Sequence, residues 1–270
     1  MTFNASKLGF LIAVLILITS LTACQPDRVV PTVASIESLA TETFQTKEAP
    51  PAEFQQVQFE KIDASLSAQP AWHAVVTLSF DGTYAETNQP TNGSIAANIY
   101  ANELSGEKRV VLDVKGDPFG AATDGSTVEG VRIGNDYYLV NQNKICAAAT
   151  DPANRRITEL TPSGLIGGVR QAQFTYTQRE INGRRAWEYA FTPGNVVPPP
   201  LEIKANGGVT IASGTLWIAA EKGLVAEYQI TFNVTNVVIQ GSKPLTGVLR
   251  VKYELQETGD LFNISIPFGC

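Results

Sequence analysis

Histidine is almost missing from this 270-residue chain: His73 is the one example. Cysteine is scarce too, at Cys24, Cys146 and Cys270. Such a set does not make a four-ligand metal site with recognisable spacing, so no metal is expected. His73 sits at an alternating strand position, opposite in phase to Trp72, and reads as a solvated or hydrogen-bonded strand residue rather than a general base. Ser163, in Thr-Pro-Ser-Gly-Leu, lacks the glycine two residues earlier that a nucleophile elbow uses. No glycine loop for phosphate is present. Asp113, Asp117, Asp124, Glu129 and Asp136 are scattered over strands and turns, where acids serve solubility or turn formation. Neither an enzyme nor a bound cofactor is expected.

Basic residues are the minority charge, 20 against 26 acids, and all charged residues together make up 17% of the chain. Without a clustered basic surface, nucleic acid and peripheral docking on anionic lipid are both disfavoured. Long apolar runs are also wanting. The one at Leu8 to Ile18 has eleven residues, well short of the roughly 20 that span a bilayer as a helix.

That run does fit a signal peptide over 1–23, with Lys7 in its polar start and small residues before the cut. Leu21-Thr22-Ala23-Cys24 resembles the bacterial lipobox. The resemblance implies a diacylglyceryl thioether on Cys24, usually with a further amide-linked chain, and two or more acyl chains anchor durably. The expected address is therefore the extracytoplasmic face of a bacterial cell membrane, with the membrane itself as partner through Cys24. Cleavage removes one lysine and no acid, so the mature charge is −7. With Cys24 taken, Cys146 and Cys270 remain as an even pair in an oxidising compartment. The expected disulfide closes a loop worth ~4 kcal/mol in the chain-entropy model; the alternative is two free thiols.

Residues 24–51 are rich in Thr, Ser, Pro, Ala and Glu and read as a flexible tether. Residues 52–270 read as one domain. Ala52 to Gln69 is expected to be helical, with Phe54, Val57, Ile62 and Leu66 near one face and Pro70 as the stop. From Ala71 the period becomes two. Strands are expected over 71–80, 93–102, 108–115, 127–133, 137–140, 173–180, 185–191, 208–220, 224–234 and 248–255, with Asp81-Gly82 as a turn. Between them, 156–169 reads as a short helix or flap, opened by Thr161 as cap before Pro162 and weakened by Gly164, Gly167 and Gly168. The fold class is α+β, mostly antiparallel β: a sandwich, a barrel, or a strongly curved sheet on a helix.

The lipobox and tether, the amphipathic Phe54 to Leu66 segment, the pattern Ile181-Asn182-Gly183-Arg184-Arg185-Ala186-Trp187-Glu188-Tyr189, and Gly214-Thr215-Leu216-Trp217-Ile218-Ala219 with Lys222-Gly223-Leu224-Val225 together resemble the LolA/LppX/LprG-like lipoprotein carriers. The terminal Ile266-Pro267-Phe268-Gly269-Cys270 fits them too. The resemblance implies a half-open β-barrel with helices across its mouth and an apolar cavity for acyl chains of a lipid, glycolipid or lipoprotein. The short, glycine-rich insert departs from members with robust lids. Candidate lining residues are Phe174 and Tyr176, then Trp187, Tyr189 and Phe191, then Tyr228, Ile230, Phe232, Leu249, Val251 and Tyr253. Their stripes have the right period to share a face, and core packing explains the same period. Two functions are expected on these grounds: an anchored binder or carrier of an apolar ligand, or a non-catalytic interaction, structural or sensory domain with a filled core. No protein partner is indicated.

Overall fold

The computed structural model describes residues 50–121, 125–150, 152–220, 222–241 and 243–270. The expected signal peptide, Cys24 and nearly all of the tether lie outside the described residues. Period-two alternation dominates the chain from Ala71 onward, because a strand buries every second side chain when one face of its sheet is covered. In chain order the elements are β1 (Gln56–Phe59), β2 (Ala71–Tyr84), β3 (Pro90–Asn102), β4 (Glu107–Lys115), β5 (Ser126–Ile133), β6 (Asp136–Val140) and β7 (Cys146–Ala148). Then come α1 (Pro152–Glu159), α2 (Pro162–Ile166), β8 (Gly168–Ile181), β9 (Arg184–Ala190), β10 (Val196–Val197), β11 (Glu202–Ala219), β12 (Leu224–Val238) and β13 (Leu245–Thr258).

All strands join one 13-stranded sheet, in the order β1-β8-β9-β11-β12-β13-β2-β3-β4-β5-β6-β7, with β10 beside β8. Every pairing is antiparallel. The sheet is open, since its ends β1 and β7 are not neighbours. The last strand, β13, lies between β12 and β2, so the second strand and the last meet at the sheet's centre while β1 forms one edge.

The sequence predicts a helix over Ala52 to Gln69, and the structure corrects this. The segment is a 3-10 turn at Ala52–Phe54, the strand β1, and a second 3-10 turn at Leu66–Ala68. Gln56-Val57-Gln58-Phe59 alternates exposed and buried, and that period of two lets it cover the edge of β8 (Val57 opposite Ala172, Phe59 opposite Val169). An uncovered edge leaves a row of backbone donors and acceptors unpaired. Ile62 and Leu66 are still buried, as the helical reading required, but they are delivered by a turn.

Asp81-Gly82 is likewise no turn: β2 runs through to Tyr84. Gly82 lies opposite Gly247 of β13, and a Cβ there would stand 2.3 Å from the Thr246 carbonyl oxygen. The glycine marks close backbone approach inside a strand. The insert holds two short helices, and Thr161 does cap the second, its Oγ1 accepting from the Gly164 N–H at 3.1 Å.

One face of the sheet carries the core. Ala74, Val76, Leu78 and Phe80 of β2, Ile95, Ala97 and Ile99 of β3, and Leu249, Val251 and Tyr253 of β13 belong to it. So do Ile62, Leu66, Leu165 and Ile166, which come from the turn after β1 and from α2 and lie over that face. Beyond β13 the chain crosses the opposite face as a strap. The Asn102 side chain donates to the Phe262 carbonyl and accepts from the Phe262 N–H, both at 2.9 Å. The Phe262 ring stands edge-on to Tyr100 and His73, which are stacked on each other. The strap ends at Cys270, bonded to Cys146 of β7 with Cα atoms 5.2 Å apart, so the expected disulfide is formed.

Candidate ligand interior

Antiparallel register turns separate stripes into rows. Phe174 of β8 lies opposite Tyr189 of β9, which lies opposite Leu216 of β11. The row continues through Tyr228, Tyr253, Val76, Ala97, Leu112 and Val128. A second row runs Ile230, Val251, Leu78, Ile95, and a third runs Phe232, Leu249, Phe80. Eight of the eleven candidate residues (Trp187, Tyr189, Tyr228, Ile230, Phe232, Leu249, Val251 and Tyr253) are exposed by 3% or less. They face one interior.

Three of the eleven sit differently. Phe174 and Phe191 are half-buried. Phe191 lies 6.0 Å from the Tyr228 ring, in space that Gly214 leaves: a Cβ on that glycine would come within 2.5 Å of the Phe191 ring. Tyr176 departs from the sequence pattern. Period two places it on the inward face with Phe174, yet it is 62% exposed. The register of β8 breaks between Phe174 and Gln178, and Tyr176 takes a φ of 64° within that break. Between those pairs β8 runs four steps against two on β9, so two extra residues are accommodated there, and the positive φ within this irregularity takes the tyrosine off the inward face.

The polar tips of the interior aromatics are the unusual feature. The Tyr189 hydroxyl donates to the Phe54 carbonyl at 2.5 Å. The Trp187 indole N–H and the Tyr228 and Tyr253 hydroxyls have no hydrogen-bond partner among the described residues, although all three are buried. Tyr228 and Tyr253 are directly opposite across β12 and β13. Burial pushes all three phenols up, Tyr189 to about 12 and the other two further, so they stay neutral donors. Asp63, in the turn over the sheet, adds to the rise at Tyr253. A buried donor left unpaired costs about 1–3 kcal/mol. Chemically the interior is apolar with three donors aimed into it, suited to an acceptor on an otherwise apolar molecule or to ordered water.

Lys108 was not among the candidates. It is buried on β4 and donates to the Leu160 carbonyl between α1 and α2. Burial, helped by Arg132 opposite it on β5, lowers its pKa to about 8. The signal was in the alternation, since Lys108 shares its phase with the inward Val110 and Leu112. His73, by contrast, is part-exposed beneath the strap, with its Nε2 buried and unpartnered among the described residues and its pKa lowered chiefly by burial. Among the described residues no three His, Cys, Asp or Glu side chains converge where they could hold a metal ion.

No family model matches this chain, and no curated protein matches it. Among solved structures it is similar to a DUF1329 family protein from Desulfovibrio piger, at 8% identity over 78% of this chain and 97% of the other, with a TM-score of 0.21. A likeness that slight carries no argument, so function rests on the chain's own residues.

Proposed function

We propose that this chain is an exported lipoprotein, anchored through Cys24 to the extracytoplasmic face of a bacterial membrane. Its β domain binds, and hands on, a lipid or glycolipid-like molecule within the covered face of its curved sheet, as the LolA/LppX/LprG-like carriers do in their half-barrels. It is not an enzyme. The observation that supports the ligand is the set of Trp187, Tyr228 and Tyr253 donors that find no acceptor among the described residues in an otherwise apolar interior. An ester or hydroxyl oxygen at the head of an acyl chain meets those donors while the chain lies along Ile230, Phe232, Leu249 and Val251. The turn after β1 and the short α2, both lying over this face, are the parts that would give way on entry.

A second reading, an interaction domain with a filled core, is favoured by the near-complete burial of eight of the eleven candidates. One experiment separates the two. The chain carrying Cys24→Ser, produced in an exporting bacterium, is weighed by native mass spectrometry and extracted with solvent, so that any lipid found is not covalently attached. A stoichiometric adduct, weakened in Tyr228→Phe and Tyr253→Phe, is expected. A clean protein mass with no uptake of offered lipids refutes the carrier and leaves the filled core. The anchor is checked by fractionation, since Cys24→Ser should move the protein from membrane to soluble fractions.

A further inference from the structure

The opposite face of the sheet holds a groove that the interior reading does not use. Its volume is about 760 Å³, within the range of small-molecule sites. Outward residues of β4 and β5 line it together with the turn before β7 and the strap. Neighbouring outward positions such as Arg109, Asp113 and Lys115 alternate with inward Lys108, Val110 and Leu112, so this groove and the interior are on different sides of one sheet.

Its charges are unequally committed. Glu129 is held by Arg109 at 2.7 Å, and Asp113 accepts from the Thr127 hydroxyl. Lys115 and Lys144, both exposed, have no ion-pair partner among the described residues. Two uncommitted ammonium groups therefore face one groove in a chain whose net charge is −6. The strap supplies the apolar wall: Ile266 is 52% exposed and Phe268 fully so. Side chains of that kind, kept in water by a strand of backbone fastened at Asn102 and at Cys146, lack a covering surface. Cations and an apolar wall in one groove match an acid head on an alkyl chain.

We infer that the groove beneath the C-terminal strap binds a single-chain carboxylate amphiphile of the fatty-acid type, its carboxylate between Lys115 and Lys144 and its chain against Ile266 and Phe268. This inference does not rest on the interior reading, and either can fail alone. The test is calorimetric titration of the full chain carrying Cys24→Ser with decanoate, decanol and acetate. Decanoate should bind at one per chain, with decanol and acetate each weaker by about tenfold or more. Lys115→Gln with Lys144→Gln should weaken decanoate about five- to tenfold, the scale of two exposed ion pairs, and Phe268→Ser should weaken it as well. All three side chains are exposed, so these variants keep the fold. Lys204→Gln, at an exposed lysine of β11 outside the groove, should leave decanoate binding unchanged. Decanol binding as tightly as decanoate overturns the inference, as does an unchanged affinity in the double lysine variant or the absence of saturable decanoate binding. Loss of affinity in Tyr228→Phe instead moves the ligand to the interior and overturns the groove.

Discussion

Lys108 offers the sharpest test of how this domain is packed. In water a lysine holds its proton to about 10.5, whereas burial lowers Lys108 to about 8. That difference corresponds to about 3 kcal/mol of disfavour for the charged form in the folded state. The sign comes from proton counting. Below pH 8 the side chain is charged in both states, and the folded state carries the whole penalty. Between pH 8 and 10.5 the unfolded chain still binds a proton that the folded chain has released, so stability rises with pH. By pH about 9.5 the gain should be about 2 kcal/mol. Above pH 10 the buried tyrosines work the other way, because the unfolded chain ionises phenols that the fold keeps neutral. The assay is urea unfolding at pH 7 and about 9.5, for the parent chain and for Lys108→Met. The substitution gives up the hydrogen bond to Leu160 and the charge penalty together, so its effect at pH 7 should be small. What it should abolish is the rise between the two pH values. Parallel pH profiles for parent and variant would refute the burial of a charged Lys108.

The strap and the close backbone contacts give three further expectations. Cys270→Ser should lower stability by about 4 kcal/mol, because residues 124 apart are no longer joined; an unchanged urea midpoint would mean the bridge constrains nothing. Asn102→Ala removes both hydrogen bonds to Phe262 from a residue only 2% exposed, which should cost about 2 kcal/mol. It should also speed amide exchange across 259–265, read by hydrogen exchange. Gly167 has a φ of 74°, and a Cβ there would lie 2.1 Å from the Val197 carbonyl oxygen. Gly167→Ala should therefore destabilise by about 2 kcal/mol or more, whereas Gly183→Ala, with its φ of 72° but open space around it, should do less harm in the same thermal scan.

Strand content was legible because alternation is a local property. Leu249, Val251, Tyr253 and Leu255 against Arg250, Lys252 and Glu254 announce one wet and one dry face, and β13 is built that way. Asn182-Gly183 likewise marked the turn between β8 and β9. What alternation does not carry is pairing, and the placement of β13 between β12 and β2 is a long-range fact with no local trace. The segment 52–69 misled for a related reason. Four apolar residues spaced near a helical period also satisfy a short strand plus a turn, and the uncovered edge of β8 decided between them. Asp81-Gly82 failed because a glycine opposite a glycine serves close approach, which no single strand's sequence reveals.

The shared face of the candidate residues was legible in the sequence, and the chemistry of that face was not. Ten of the eleven aromatic and aliphatic candidates line up inward or half-inward, yet a stripe of that period is the same whether the space above it is filled or vacant. The discriminating detail is polar. A core built only to be packed favours phenylalanine, because a buried hydroxyl without a partner is a net loss. At Phe80 and Phe232, which lie in the row two steps along, the sheet uses phenylalanine. At Tyr228 and Tyr253 it places two tyrosines opposite each other across β12 and β13, with a third donor on Trp187, and satisfies none of the three donors among the described residues. Replacing both tyrosines by phenylalanine therefore has different consequences under the two readings. In a filled core the double variant should be as stable as the parent or more so, with no ligand to lose. In a binding interior it should keep its stability and lose its ligand, and retained ligand in that variant would remove the main support for the carrier.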